Sequence, residues 1–224
     1  MKTLTKILYM TLLAIAAYTG IYAQDNTKAN AVKLNLGYNA LQAGTIIDGN
    51  FRARAYTNAA VQDNNLKIGF HGLNEAGKNY LFGRETIRLG TKNIPADLIY
   101  TSRVGGEKLS DIKQIDQGIG ARLNKLQVDI NGTKFVEYGW IDLVKHFGKN
   151  YKGLEAVIFA GKSIDNGAIE ATAALKEGGQ KYLELEALTP TIDIGINLRG
   201  YGRIELPEAT FDNPTYIVGI QAQL

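Results

Sequence analysis

The chain of 224 residues contains no cysteine. That absence excludes disulfide staples, thiolate metal sites and an anchor lipidated at a cysteine, so stability has to come from burial and backbone pairing. Catalytic side chains are also scarce, with two histidines, His71 and His146, and serines only at 102, 110 and 163. Neither histidine has neighbours at metal-ligand spacing, and no cofactor is expected. No phosphate-cradling loop occurs, because the "GYGR" at 200–203 follows a strand-like run but opens no helix. Four prolines give no proline-rich linker. One-sided charge is absent as well. Removing Lys2 and Lys6 with the N-terminal leader described next leaves 23 of the 25 basic residues against 22 acidic ones, which gives no general attraction to nucleic acid.

The one long apolar run lies at the start. Residues 1–23 read as a basic beginning, an uncharged run from Ile7 and small residues up to Ala23, the layout of a cleavable export signal. The run is about fifteen residues, short of the roughly twenty that a membrane-crossing helix needs. The sequence therefore predicts a signal peptide over 1–23 and one domain over 24–224.

What fills that domain is alternation. In "TPTIDIGINLRGYGRIEL" (189–206), Ile192, Ile194, Ile196 and Leu198 share one parity, and Asp193, Asn197, Arg199 and Arg203 share the other. Successive strand residues point to opposite faces, so the ribbon is oily on one side and charged on the other. Similar runs recur throughout. The first spans 32–40, and later ones include 119–130, 134–147 and 192–203, for about twelve strands in all. Outside the leader only Leu109, Ile112 and Ile115 suggest a short helical turn, inside a loop. Asn131-Gly132 reads as the sixth connection, a tight hairpin turn, and the tenth, near Thr189-Pro190, also reads as tight. The first (about 41–50), fifth (about 105–118) and eleventh (about 204–215) read as long. One end of the sheet is thus expected to be trimmed and the other loopy. Phe51, Tyr80, Phe147, Tyr151, Tyr182 and Tyr216 fall near strand ends, where interfacial rings would sit.

An even strand count, apolar/polar alternation and unequal connections together resemble the outer-membrane β-barrel proteins of Gram-negative bacteria. The last strand adds to the likeness. Tyr216, Val218, Ile220, Ala222 and Leu224 form an apolar file that resembles the C-terminal assembly signal of such barrels, with Leu224 where a terminal aromatic is usual. The resemblance is architectural and covers the whole mature chain. It implies an all-β, antiparallel, up-and-down transmembrane barrel of about twelve strands in the cell outer membrane, with bilayer lipid and the barrel assembly machinery as partners. A twelve-stranded outer-membrane phospholipase would carry its serine two residues after its histidine. Those positions are Leu73 and Gly148 here, so an enzyme is not expected.

If the oily files face lipid, the polar parity lines a lumen. Lys33, Arg52, Arg54, Lys67, Arg84, Arg88, Arg103 and Arg122 come from the first half of the chain. Glu155, Glu170, Glu184, Glu186 and Asp193 come from the second half, with Arg199 and Arg203 near the seam. A wet lumen would set a basic wall against an acidic one and orient small polar solutes. A narrow, dry lumen would force the same charges to pair. Three residues resist the scheme: Glu85 falls on the oily parity, and Glu137 and Asp142 cannot both face inward without a bulge. The alternative is a soluble exported sandwich or calyx whose oily parity faces inward around an apolar ligand.

Overall fold

The computed structural model describes residues 33–36, 39–47, 49–62, 66–77, 80–91, 94–148 and 151–223. The export-signal region and Leu224 lie outside the described residues. Twelve antiparallel strands form one closed barrel. Strand β1 comes in two pieces, Lys33–Leu36 and Ala40–Ile46. It is followed by β2 (Phe51–Gln62), β3 (Leu66–Ala76), β4 (Leu81–Thr91), β5 (Ala96–Gly106) and β6 (Lys113–Asn124). The second half comprises β7 (Tyr138–Phe147), β8 (Lys152–Ile164), β9 (Gly167–Lys176), β10 (Lys181–Leu188), β11 (Asn197–Pro207) and β12 (Thr215–Gln223). Each strand pairs with its sequence neighbours, and β12 pairs with β1 to close the cylinder. Eleven residues tilted by ~40° rise roughly 28 Å, matching the apolar band of a bilayer.

The burial pattern is inside-out for a water-soluble protein. Asp142 is 0% exposed and Arg203 2%, whereas Leu154 is 56% and Ile220 61% exposed. Ile87, Leu98, Ile119, Leu143, Ile169 and Val218 also face outward and are exposed. So continuous an apolar surface is stable only against hydrocarbon. The calyx alternative required the opposite polarity and is not favoured. Phe51, Phe147 and Tyr216 stand exposed at one rim, as the expected aromatic belt requires. Tyr80 and Tyr182 instead turn inward, where they donate to Glu75 and Glu184.

Several boundaries differ from the sequence reading. Strand β1 continues through Ile46, so the first connection is only 47–50. The run 119–130 is not one strand. Chain β6 stops at Asn124, Lys125 takes a positive φ of 62°, and a separate small hairpin (Val128–Ile130 with Thr133–Val136) projects before β7 begins. Asn131 (φ 52°) and Gly132 (φ 80°) do form a tight turn, but at the tip of that hairpin, so the sixth connection is long. The tenth is long too, because Ile192–Asp193 folds back on Asn197–Leu198 through a turn at Gly195 (φ 87°). The end of the barrel expected to be trimmed therefore carries the two longest insertions, while the fifth connection shrinks to 107–112 around a 3-10 turn at Leu109–Asp111.

The seam is one of three short joints in the wall, with β6–β7 and β10–β11. Strands β12 and β1 are in register only from Ile217–Ile46 to Gln223–Ala40. Gly219 faces Gly44 there, with no room for a Cβ on either glycine. The Lys33–Leu36 piece of β1 pairs with β2 but lies beyond the reach of β12 as described.

Candidate functional site: a charged lumen

Alternation decides which side chains meet inside. On β2 the even positions Arg52, Arg54, Tyr56 and Asn58 line the lumen; on β7 it is Tyr138 and Trp140, and on β10 Tyr182, Glu184 and Glu186. Together the inward residues surround a cavity of about 1340 Å³ that reaches from Tyr80 and Lys176 at one mouth to Lys125 and Asn166 at the other.

Two ion-pair networks cross this cavity. The first lies beside the seam. Arg54 contacts Glu184 of β10 at 2.8 Å, Glu75 of β3 at 2.6 Å and Glu205 of β11 at 3.3 Å, and Arg52 pairs with Glu205. Arg203 holds Glu186 at 2.8 Å through Nε and donates to Gln42. Gln42 Nε2 donates in turn to Glu186 and to Gln221, each at 2.8 Å. This network ties β1, β2 and β3 to β10, β11 and β12 through side chains, across the seam where the two ends of the chain meet.

The second network lies in the middle of the sheet. Arg122 Nε and Nη2 make a two-pronged contact with Asp142 at 2.6 and 2.7 Å, and Arg84 reaches the same carboxylate at 3.5 Å. Arg103 pairs with Glu155 and lies 3.5 Å from Asp116. His146 sits between those two carboxylates, with Nε2 2.9 Å from Glu155 and Nδ1 3.2 Å from Asp116. Towards the far mouth the lining turns aromatic. Trp140 stacks on Phe159 with ring centroids 5.7 Å apart, meets His71 edge-on at 6.2 Å, and carries the Arg122 guanidinium 4.0 Å above its ring.

Most residues expected in the lumen are brought together here: Arg52, Arg54, Arg84, Arg103, Arg122, Glu155, Glu170, Glu184, Glu186 and Arg199 line the cavity, and Arg203 is bonded within the first network. Arg88 lies over Gly69 on the inner face, where a Cβ would come within 2.9 Å of its Nε, and Lys67 is half-buried on the same strand. Lys33 belongs to β1, but its side chain lies outside the described residues. Asp193 is a correction. It is exposed in the tenth connection, its Oδ1 accepting from Gly195 N at 2.9 Å, because the chain turns back before β11 begins.

Five carboxylates were missed: Glu75, Asp97, Asp116 and Asp142 are buried or half-buried among the arginines of the first half, and Glu205 is buried inside on β11, in a stretch read as connection. Their parity was readable, since Glu75 shares it with Lys67 and His71, and Asp116 with Arg122. Glu137 and Asp142 are reconciled without a bulge. Asp142 faces inward on β7, whereas Glu137 precedes the strand and accepts from Ser163 N at 3.1 Å. Carboxylates are thus interleaved with the arginines expected to form a basic wall.

No family model matches the chain, and no curated protein matches it. Two solved structures share its architecture. A KdgM porin superposes with a TM-score of 0.53 at 10% identity, over 84% of this chain and 99% of that one. The outer membrane phospholipase A from Escherichia coli superposes with a TM-score of 0.52 at 11% identity, over 90% of this chain and 95% of that one. At such identities the likeness is one of fold, that of the outer-membrane β-barrels.

Proposed function

We propose that the chain is exported and inserted into a Gram-negative outer membrane, where it is a passive channel for small polar solutes. The observation that carries the reading is the polarity of the barrel, apolar outside and charged around a cavity of about 1340 Å³ inside. The Nε atoms of Arg52, Arg84, Arg88 and Arg103 are buried without a partner among the described residues. Such groups need water or a polar solute, which supports a wet path rather than a dry plug. Solutes would pass beside the ion pairs, whose compensated charges favour neutral or dipolar molecules over a strongly charged ion. The outward file Tyr216, Val218, Ile220 and Ala222, continued to Leu224, is the reading's candidate signal for the assembly machinery.

The test begins with a carbonate wash of the host envelope and migration of unboiled protein on a gel. The expected outcome is retention in the membrane and faster migration of the folded form, followed by discrete conductance steps in planar bilayers. A water-soluble monomer without detergent would overturn the membrane reading, and a folded, inserted barrel without conductance would overturn the channel.

A further inference from the structure

The outward face of the barrel carries a polar row across β3 to β6, in the half of the wall nearer the 77–80 and 107–112 connections. Glu85 stands in register with Ser102, and Ser102 with Gln117. Asn74 Nδ2 donates to Glu85 Oε1 at 3.1 Å. Glu85 Oε2 has no donor among the described residues and rests over Gly72, where an added Cβ would lie 2.6 Å away. Hydrocarbon offers no hydrogen bond, so a carboxyl group held in the wall with one oxygen unserved is costly.

The sheet is distorted to build this row. Between Arg103 and Val104 the register of β5 on β6 shifts: Arg103 opposes Asp116, Val104 opposes Gln114, and Ile115 is the extra residue. Without that bulge Gln114 would share the lumenal parity of Asp116. With it, Gln114 turns outward and its Nε2 donates to Ser102 Oγ at 3.2 Å and to Gln117 Oε1 at 3.4 Å. Tyr100 OH donates to the same Gln117 oxygen at 3.0 Å. A bulge that moves an amide from the wet face to the oily one is a feature that needs a reason.

We propose that this row is the contact surface for a second copy of the chain, related by a twofold axis along the membrane normal near Ser102. The inference rests on the outer-membrane reading. The row is self-complementary: a carboxylate acceptor at one end, the Gln117 amide at the other, and a hydroxyl between them. Adjacent strands are about 4.8 Å apart, so Glu85 and Gln117 lie roughly 10 Å apart with Ser102 midway. A twofold rotation lays each acceptor end against the other copy's donor end, as an isologous contact requires. No lysine or arginine stands in the row, and Glu85 would repel an anionic headgroup. Its chemistry therefore fits the amides of an identical surface rather than a phosphate.

The native absence of cysteine makes the test direct. Ser102→Cys, oxidised in carbonate-washed membranes, is expected to give a disulfide-linked band of twice the mass. Ile220→Cys, on the β12 wall, should stay monomeric. Adding Glu85→Leu to Ser102→Cys should lower the dimer yield about three- to tenfold, the worth of one or two hydrogen bonds within a membrane. A folded, heat-modifiable Ser102→Cys protein that remains monomeric, or that links only to a different protein, overturns the interface. Release of the chain by the wash overturns the outer-membrane reading itself, and the interface with it.

Discussion

The two lumenal networks use the same chemistry on unequal footings. The one around Arg54 and Arg203 joins strands from opposite ends of the sequence, next to a seam with few backbone rungs. The one around Arg103 and Arg122 joins strands that are neighbours in sequence, β4 to β8, across a β6–β7 joint with as few paired residues as the seam. In the first, three arginines face four glutamates, Glu75, Glu184, Glu186 and Glu205, with Gln42 and Gln221 completing the bonds. In the second, His146 backs up Arg103 at both of its carboxylates. The difference teaches which side chains hold the two ends of the chain together and which reinforce joints between sequence neighbours.

Removing a cation should separate the two most sharply. Arg203→Met leaves Glu184 and Glu186 short of a partner beside the seam, and the loss is expected to be ~3–5 kcal/mol, read as a lower midpoint for loss of the fast-migrating gel form in urea. Arg103→Met should cost less, about 1–3 kcal/mol, because His146 remains within reach of Glu155 and Asp116. Equal midpoints for the two variants would erase the distinction.

A neutral change probes the path instead of the wall. Arg54→Ala with Glu184→Ala removes a cross-lumen pair while keeping net charge, and single-channel conductance is expected to rise about twofold. Unchanged conductance would place the solute path beside the mid-sheet network.

The smallest effect lies outside both networks. In the turn after β9, the Glu177 carboxylate is held below its ordinary range, first by the Leu154 N–H that donates to it at 2.8 Å and then by Lys145 at 3.5 Å. Because the folded pKa is depressed, this contribution exists above the unfolded-state value and disappears as the pH falls through the folded one. Glu177→Gln should therefore lower stability slightly at neutral pH. It should match the native protein only in acid, once the pH has fallen below the depressed folded-state value.

Much of this was legible in the chain because membrane barrels alternate so strictly. The parity that sends Arg52, Arg54, Glu184 and Glu186 inward is local information, and so is the strand count. The errors fell where alternation runs on through a change of direction. The hairpin at 128–136 and the fold-back at Ile192–Asp193 both keep a two-residue period, so nothing in the pattern separates them from the strands they follow. Left-handed positions at Lys125 and Gly195 mark where the path leaves the wall, and lysine is an unusual residue to announce one. Which arginine meets which carboxylate depended on register and closure, which no single strand encodes. The outward placement of Glu85 was visible as a discord; its meaning needed Gln114, which is turned onto the same face by an extra residue in the neighbouring strand.

The facing glycines of the seam have a mechanical consequence. Gly44 and Gly219 contribute backbone rungs but no side-chain grip, on a joint already shorter than its neighbours. Pulled sideways or heated, the cylinder should tear along that line first, and the Arg54–Arg203 clasp is what delays the rip.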